Sequence, residues 1–540
     1  MKSDKILLFS LALVVISHAF AIAISYASLS IAVPAGQESF PVLGPVASPI
    51  ISMDPSQAMP IGLGPAASGG DTISVQVGLA PFSGPVDIYF GYYAPSIDPQ
   101  NIYILTMNDT FIPLSVSDPL HEGPSPWKIN VSGGVNESLA SALGNIPVAS
   151  LPPGTYTAYL LVTPAGSLDS YYLWTTVIDV AHNVLPISVN GSLCSAGSYP
   201  NKPCVSVTIC TPGTSACQKV NDILLDTGSY GLRIFKQALS ISLLQEEVGF
   251  GSLAECIQYG DGTSNWGPVQ TASVILGNEP AVEVPIQVID STFGALPVTC
   301  RNADQSPAVA GFNGVLGVGL FIEDCGMTCS NSADNGMYYA CSGSQCSGTT
   351  VALSSQVQNP VALLPQDNNG LIIQLPGVAP GGSPSVNGAL ILGIGTRSNN
   401  APSEVTAYTA DLFGEFVTTF NGVPYSSFID SGTNGLFFVS PSSNLLPNCA
   451  FPNSEWFCPS STTSLSAINT GASGSPSGVV SFHIGDFISL ISSFNDVFAE
   501  IGGNSSVDFD WGLPFFFGRS VYIGLEGRGS SLGSGPYWAY

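Results

Sequence analysis

The chain states one local plan twice. In the stretch Asn221 to Phe235 a short apolar run, Ile223-Leu224-Leu225, breaks into Asp226-Thr227-Gly228-Ser229. The same layout returns as Phe428-Ile429, then Asp430-Ser431-Gly432-Thr433, then Leu436-Phe437-Phe438. An aspartate at the end of a buried strand is costly unless it is hydrogen-bonded or protonated. Two such turns point to two similar lobes that face one another and bring Asp226 and Asp430 together. Two carboxyls within hydrogen-bonding reach cannot both ionise cheaply, so they share a proton and titrate in two separated steps. The ionised member can draw a proton from water while the protonated one polarises a carbonyl, which is general acid–base catalysis without a metal or a cofactor. Gly228 and Gly432 let each turn close tightly. Thr227 and Ser431 offer hydroxyls to the opposite loop, and Ser229 and Thr433 are placed to bond the outer carboxylate oxygens.

Composition narrows the setting. A length of 540 residues allows two to four domains. Only 9% of residues are charged, against about 25% in ordinary domains, and 37 acidic against 11 basic residues give a net charge of −26. That balance disfavours nucleic acid and anionic lipid as partners. A fold that leans so little on ion pairs suits acid, because most carboxylates are neutral below roughly pH 4. Residues 1–30 read as a signal peptide or an N-terminal anchor: Lys2 and Lys5 precede an apolar stretch, and residues 6–24 are long enough to serve as a membrane tether. All 12 cysteines lie between Cys194 and Cys458, an even number that predicts disulfides in a secreted or extracytoplasmic protein, with Cys210/Cys217, Cys341/Cys346 and Cys449/Cys458 as short loop staples. Cys325-x-x-x-Cys329 has the look of a metal knuckle, but the four histidines are scattered, so no metal site is expected. Oligomeric state is not legible.

Along the chain, residues 31–70 are rich in Pro, Gly, Ala and Ser and read as a linker. Residues 71–180 alternate in short runs bounded by turns, the pattern of a β-sandwich, with one helical turn near Glu137 to Ala142. Beyond them the chain is again mainly β; Ile234 to Glu247 is the best helical candidate, and Arg233 is expected to face solvent.

Further segments fall in a telling order. Gln258-Tyr259-Gly260-Asp261-Gly262-Thr263 has the form of a hairpin tip, Phe312 to Leu320 is an apolar-Gly run, Ala389 to Gly395 is a Gly-rich strand, and Trp511 to Tyr522 is a second apolar-Gly segment. With the two Asp turns, these make residues 187–540 resemble the pepsin-like aspartic peptidases, within a bacterial secreted family of unknown function. The resemblance implies a bilobal double β-barrel, lobe 1 over about 187–385 and lobe 2 over about 386–540. It implies Asp226 and Asp430 as catalytic residues and a flap carrying Tyr259, Gly260 and Asp261 over a polypeptide substrate. The implied activity is endoproteolysis, strongest in acid. The chain departs from the family pattern at Pro514, where a glycine is usual, and residues 31–180 hold Lys128 but no arginine, unlike a basic prosegment. The alternative reading is a non-catalytic surface protein that uses the same fold as a binding platform.

Overall fold

A computed structural model describes residues 61–540 apart from the short segments 68–69, 80–83, 117–123, 144–145, 148–150, 152–153, 169–170, 181, 196–198 and 443–444. The expected signal or anchor segment, the tether at 6–24 and most of the linker lie outside the described residues. Among the described residues no helix is long and apolar enough to cross a membrane. The chain divides into two units, residues 1–182 and 183–540.

The first unit is a β-sandwich. One sheet holds Ile61–Ala67, Gly70–Leu79 and Val135–Ser138, with Ile146–Pro147 beside the second strand. The other runs in the order Tyr172–Val180, Gly154–Pro164, Val86–Tyr93, Asn101–Leu105 and Phe111–Ser115, with Lys128–Val131 also on Val86–Tyr93. Alternate residues of facing strands meet in one core: Val77 and Leu79 from the first sheet, Ile88, Phe90, Leu160 and Val162 from the second, with Trp127. Each such side chain contributes about 1.5–3 kcal/mol by leaving water. The sheet starts earlier than the linker reading allows, because Ile61–Ala67 pair antiparallel with Gly70–Leu79. Among the described residues of this unit the helical turn is Ala140–Leu143.

The second unit is mainly β and double-barrel-like, and it repeats itself. In lobe 1 the strand Cys217–Asp226 runs parallel to Gly314–Val318, which is antiparallel to Tyr230–Phe235. In lobe 2 Val423–Ile429 runs parallel to Phe509–Trp511, which is antiparallel to Leu436–Phe438. The outer partners match as well, since Tyr230–Phe235 is parallel to Val282–Ile289 and Leu436–Phe438 is parallel to Gly502–Asn504. In each lobe, then, the chain leaves one strand at or just before an aspartate, turns, and returns on the far side of the strand between.

The lobes fill this frame differently. Lobe 1 packs aliphatics such as Ile223, Leu225, Leu232, Ile234 and Leu316. Lobe 2 packs rings: Phe438 stacks on Phe509 at 5.0 Å, and Phe420, Phe482 and Trp511 close round them. An antiparallel sheet of Val184–Val189, Val386–Leu392, Gly370–Leu375 and Arg519–Gly524 ties the lobes together.

The helix expected over Ile234 to Glu247 does not form. Tyr230–Phe235 continues as a strand, one 3-10 turn follows at Lys236–Ala238, and Leu244–Gln245 and Glu247–Val248 are short strands. Pairing of Ile234 and Phe235 on the Val282–Ile289 strand outweighs helix periodicity, and Leu239, Ile241 and Leu243 reach the core from extended backbone. The cysteines pair as 194–204, 210–217, 256–300, 325–329, 341–346 and 449–458. Cys325 and Cys329 are thus a disulfide, with no thiolate to offer a metal. Six disulfides fit an oxidising, extracytoplasmic compartment.

Candidate active site

Both Asp turns sit at strand ends, and the structure brings all eight turn residues into one cluster. Thr227 Oγ1 accepts from the Ser431 N–H at 2.9 Å and donates to Ile429 O at 2.8 Å. Ser431 Oγ accepts from the Thr227 N–H at 3.1 Å and donates to Leu225 O at 2.8 Å. Each hydroxyl therefore spans to the backbone of the other lobe, and four bonds lock the loops in a two-fold arrangement. Both hydroxyls are buried, where such bonds are hard to exchange for water.

The carboxyls inherit the symmetry. Asp226 Oδ1 accepts from the Gly228 N–H at 2.8 Å and Asp430 Oδ1 from the Gly432 N–H at 2.7 Å. The outer oxygens take the Ser229 hydroxyl on Asp226 and the Thr433 hydroxyl, at 2.8 Å, on Asp430. The glycines are there for room: a Cβ on Gly228 would lie 2.6 Å from the Asp430 carboxyl carbon, and one on Gly432 would lie 2.7 Å from Asp226 Oδ1. Behind each loop the apolar-Gly strand also presses close. A Cβ on Gly317 would meet the Tyr230 nitrogen at 2.6 Å, and one on Gly512 would meet Gly435 O at 2.0 Å. In lobe 2, then, Gly512 makes the close approach. Pro514 instead sits in the first turn of the 3-10 segment Leu513–Phe516, where no N–H is required.

Burial is the largest influence on Asp226 and pushes its carboxyl well above the usual range; the facing Asp430, by charge and hydrogen bonding, pushes the same way, and the Ser229 and Gly228 donors oppose. Asp430 is more open to solvent. Burial and the facing carboxyl both favour a proton on Asp226.

The expected hairpin is present. Gly251–Gln258 and Ser264–Ile275 pair antiparallel up to Gln258 and Ser264, and Tyr259 N–H donates to Thr263 O across the tip. The Tyr259 ring turns inward: its hydroxyl is 2.9 Å from the Asn265 side chain, and burial first, then the Asp226 and Glu255 charges, raise its pKa against the pull of Arg233. Gly260 is exposed with open space where a Cβ would go, so nothing there requires glycine. Asp261 is exposed and caps the tip, accepting from the Thr263 N–H and hydroxyl at 2.8 and 2.7 Å.

Arg233 does not face solvent. It is fully buried and donates to Glu255 at 2.7 Å, to Asp324 at 2.8 Å and to Tyr230 O at 2.6 Å. The direction follows from tertiary partners: the hairpin strand Gly251–Gln258 brings Glu255 to the guanidinium. Sequence reasoning also passed over Tyr199 and Tyr230, whose phenols are raised by burial and then by the Asp226 charge, with Asp430 adding to both. Nothing in the local sequence marks Tyr199 as close to the carboxyls, whereas Tyr230 follows directly on the first Asp turn. Asp510, buried behind the second loop, was missed as well, and the signal that could have found it is a single charge within the apolar strand Phe509–Trp511.

A family model described as "Protein of unknown function (DUF3443)" matches residues 179–540. The chain belongs to that family. No curated protein matches the chain. In this DUF3443 chain the match covers the whole two-lobed unit, both Asp loops and the hairpin.

The buried carboxyls fix a sign for stability against pH. Burial is the first cause in each case: it raises Asp226, Asp324 and Asp510, and it pushes Asp304 to about 6 and Glu279 to about 7. A carboxyl with a raised folded pKa contributes stability that is fully present below its unfolded value near 4 and is lost as pH climbs through the folded value. Asp98 and Asp290, both lowered, pull the other way but lie nearer solvent. The Tm is therefore expected to be highest near pH 4 and on the order of 5–10 °C lower at pH 8. Calorimetric scans across that range check it, and a Tm that rises with pH would refute the assignment.

Proposed function

We propose that the two-lobed unit is an aspartic endopeptidase of pepsin-like type, working in acid outside the cytoplasm. The observation that carries the reading is the reciprocal lock of Thr227 and Ser431, which holds two carboxyls face to face with a glycine against each. A fold that wanted only a rigid platform has no use for a second buried carboxyl there, since each adds a desolvation cost.

In the proposed reaction a water sits between the carboxyls. The ionised carboxylate takes its proton as the water oxygen bonds to the peptide carbonyl carbon, and the protonated carboxyl gives its proton to the carbonyl oxygen. The result is a neutral gem-diol. The carboxyl that took the water proton then delivers it to the nitrogen as the C–N bond breaks, and the other recovers its proton as the carbonyl reforms. Tyr259, turned inward on its hairpin, excludes bulk water over an extended polypeptide. The reaction as proposed calls for no cofactor or metal. The only close grouping of metal-type ligands among the described residues is Cys194, Cys204 and Asp222, and its two sulfurs form a disulfide.

The test is cleavage of an unfolded protein from pH 2 to 7, with and without a hydroxyl-bearing peptide that mimics the gem-diol. Cleavage that is maximal in acid and blocked by the mimic is expected. A folded protein that cleaves nothing and does not bind the mimic would move the assignment to a non-catalytic binding platform on the cell surface.

A further inference from the structure

At one point the repeat between the lobes breaks. Behind the first loop Leu224 pairs with Val315, and Val315 pairs with Arg233; behind the second, Phe428 pairs with Asp510, and Asp510 pairs with Phe437. A carboxyl thus occupies in lobe 2 the position that an apolar valine holds in lobe 1. Asp510 is only 9% exposed, and its Oδ1 is buried without a partner. Its surroundings are Phe428, Phe437, the Thr433 hydroxyl and the carboxyls of Asp430, Asp508 and Asp226, with no cation facing it among the described residues. An ionised side chain there would be unpaired; a protonated one has a hydrogen to donate.

We propose that Asp510 is a positioning residue for the carboxyl pair: it stays protonated, donates to Thr433 Oγ1, and so commits the single Thr433 hydrogen to Asp430 Oδ2. A hydroxyl has one hydrogen to give. Were Asp510 ionised, that hydrogen would swing towards it, and Asp430 would lose a donor while gaining a negative neighbour. Ser229, the counterpart of Thr433, has no such backing, because Val315 stands at the matching place. The lobes are therefore unequal. The more buried Asp226 is the side on which a proton is favoured. Burial, and after it the Asp430 charge, hold the Asp510 carboxyl well above the usual range, in keeping with this.

The catalytic part of the inference rests on the peptidase reading, so the experiment has two independent readouts. The first is the carboxyl carbon resonance of the intact protein made with 13C-labelled aspartate. One signal still at the protonated position at pH 7, and missing from Asp510→Asn, is expected whether or not peptides are cleaved. No signal of that kind overturns the inference. The second is the pH profile of cleavage. Asp510→Asn keeps a donor for Thr433 and cannot ionise; it should hold acid-side kcat within about threefold of the parent. Its alkaline limb should approach a slope of about −1, where the parent approaches about −2 because loss of either of two protons inactivates it. Asp510→Val, which restores the lobe 1 residue, should lower kcat about 10- to 100-fold with KM little changed. Equal loss in both variants, or equal slopes in parent and Asp510→Asn, would leave Asp510 a packing residue only. If the valine variant fails to fold, the resonance and the asparagine profile still decide. If the folded parent cleaves nothing, the peptidase reading fails while the resonance still settles the protonation of Asp510.

Discussion

Asp226→Asn and Asp430→Asn are each expected to cut cleavage of an unfolded protein by about 10³–10⁴-fold at acid pH, through kcat. The double variant should be hardly worse than either single one, because the two carboxyls act as a unit and either loss removes the shared proton. Stability should behave in the opposite sense. The Asp226 carboxyl is buried and its ionised form is disfavoured first by that burial and then by Asp430. An amide in its place keeps a group of the same shape and removes the like-charge term, so at pH 7 the Tm of Asp226→Asn should equal or exceed that of the parent. Activity and thermal scans on the same preparations check both halves. A single variant that keeps more than about a tenth of the parent rate would sink the shared-proton mechanism, and one that loses rate because it has lost its fold would show as a lowered Tm.

Most of this centre could be read from the chain because its demands are local. An aspartate after an apolar run, a glycine two residues on and a hydroxyl on either side is a pattern that a turn at a strand end imposes on a few consecutive residues. Asp226, Thr227, Gly228 and Ser229 could therefore be placed without knowing what they face. The repeat at Asp430 to Thr433 then supplied the partner. Gly512 was harder to read, because the glycine that must approach Gly435 O lies two residues before the Pro514 that draws the eye. Arg233 was misread for a different reason. Its neighbours in sequence say only that it lies on a strand, and an isolated cation there is usually outward. Its partners come from residues 22 and 91 positions further on, so the compensation is purely tertiary. The false helix over Ile234 to Glu247 has the same origin. Its apolar spacing is real, and those leucines are used, but pairing with a distant strand decides the backbone.

Arg233→Met carries the largest expected effect on stability. The side chain is fully buried between Glu255, on the hairpin strand, and Asp324, whose carboxyl is raised by its burial first and then by the nearby Glu255. Tyr338 donates to the same Asp324 at 2.7 Å and accepts from the Val357 N–H at 2.7 Å, so the cluster joins five segments of lobe 1. Methionine fits the volume but leaves two facing carboxyls without their cation, a defect of the kind that costs about 3–5 kcal/mol. That corresponds to a fall in Tm of about 5–15 °C at pH 7. In acid the loss should shrink, since the raised Asp324 carboxyl can take a proton and donate to its neighbour. The double variant Arg233→Met with Glu255→Gln should recover part of the stability for the same reason. The consequence for the centre is direct. Arg233 lies four residues after the first Asp loop, and its guanidinium holds both the Tyr230 carbonyl and the strand leading to Tyr259. Loosening it should therefore raise KM for a polypeptide more than it lowers kcat, because the hairpin shifts while the reciprocal Thr227–Ser431 lock stays intact. A Tm at pH 7 equal to the parent's would show that the two carboxyls find other partners, and the cluster would then lose its role as the link between loop and hairpin.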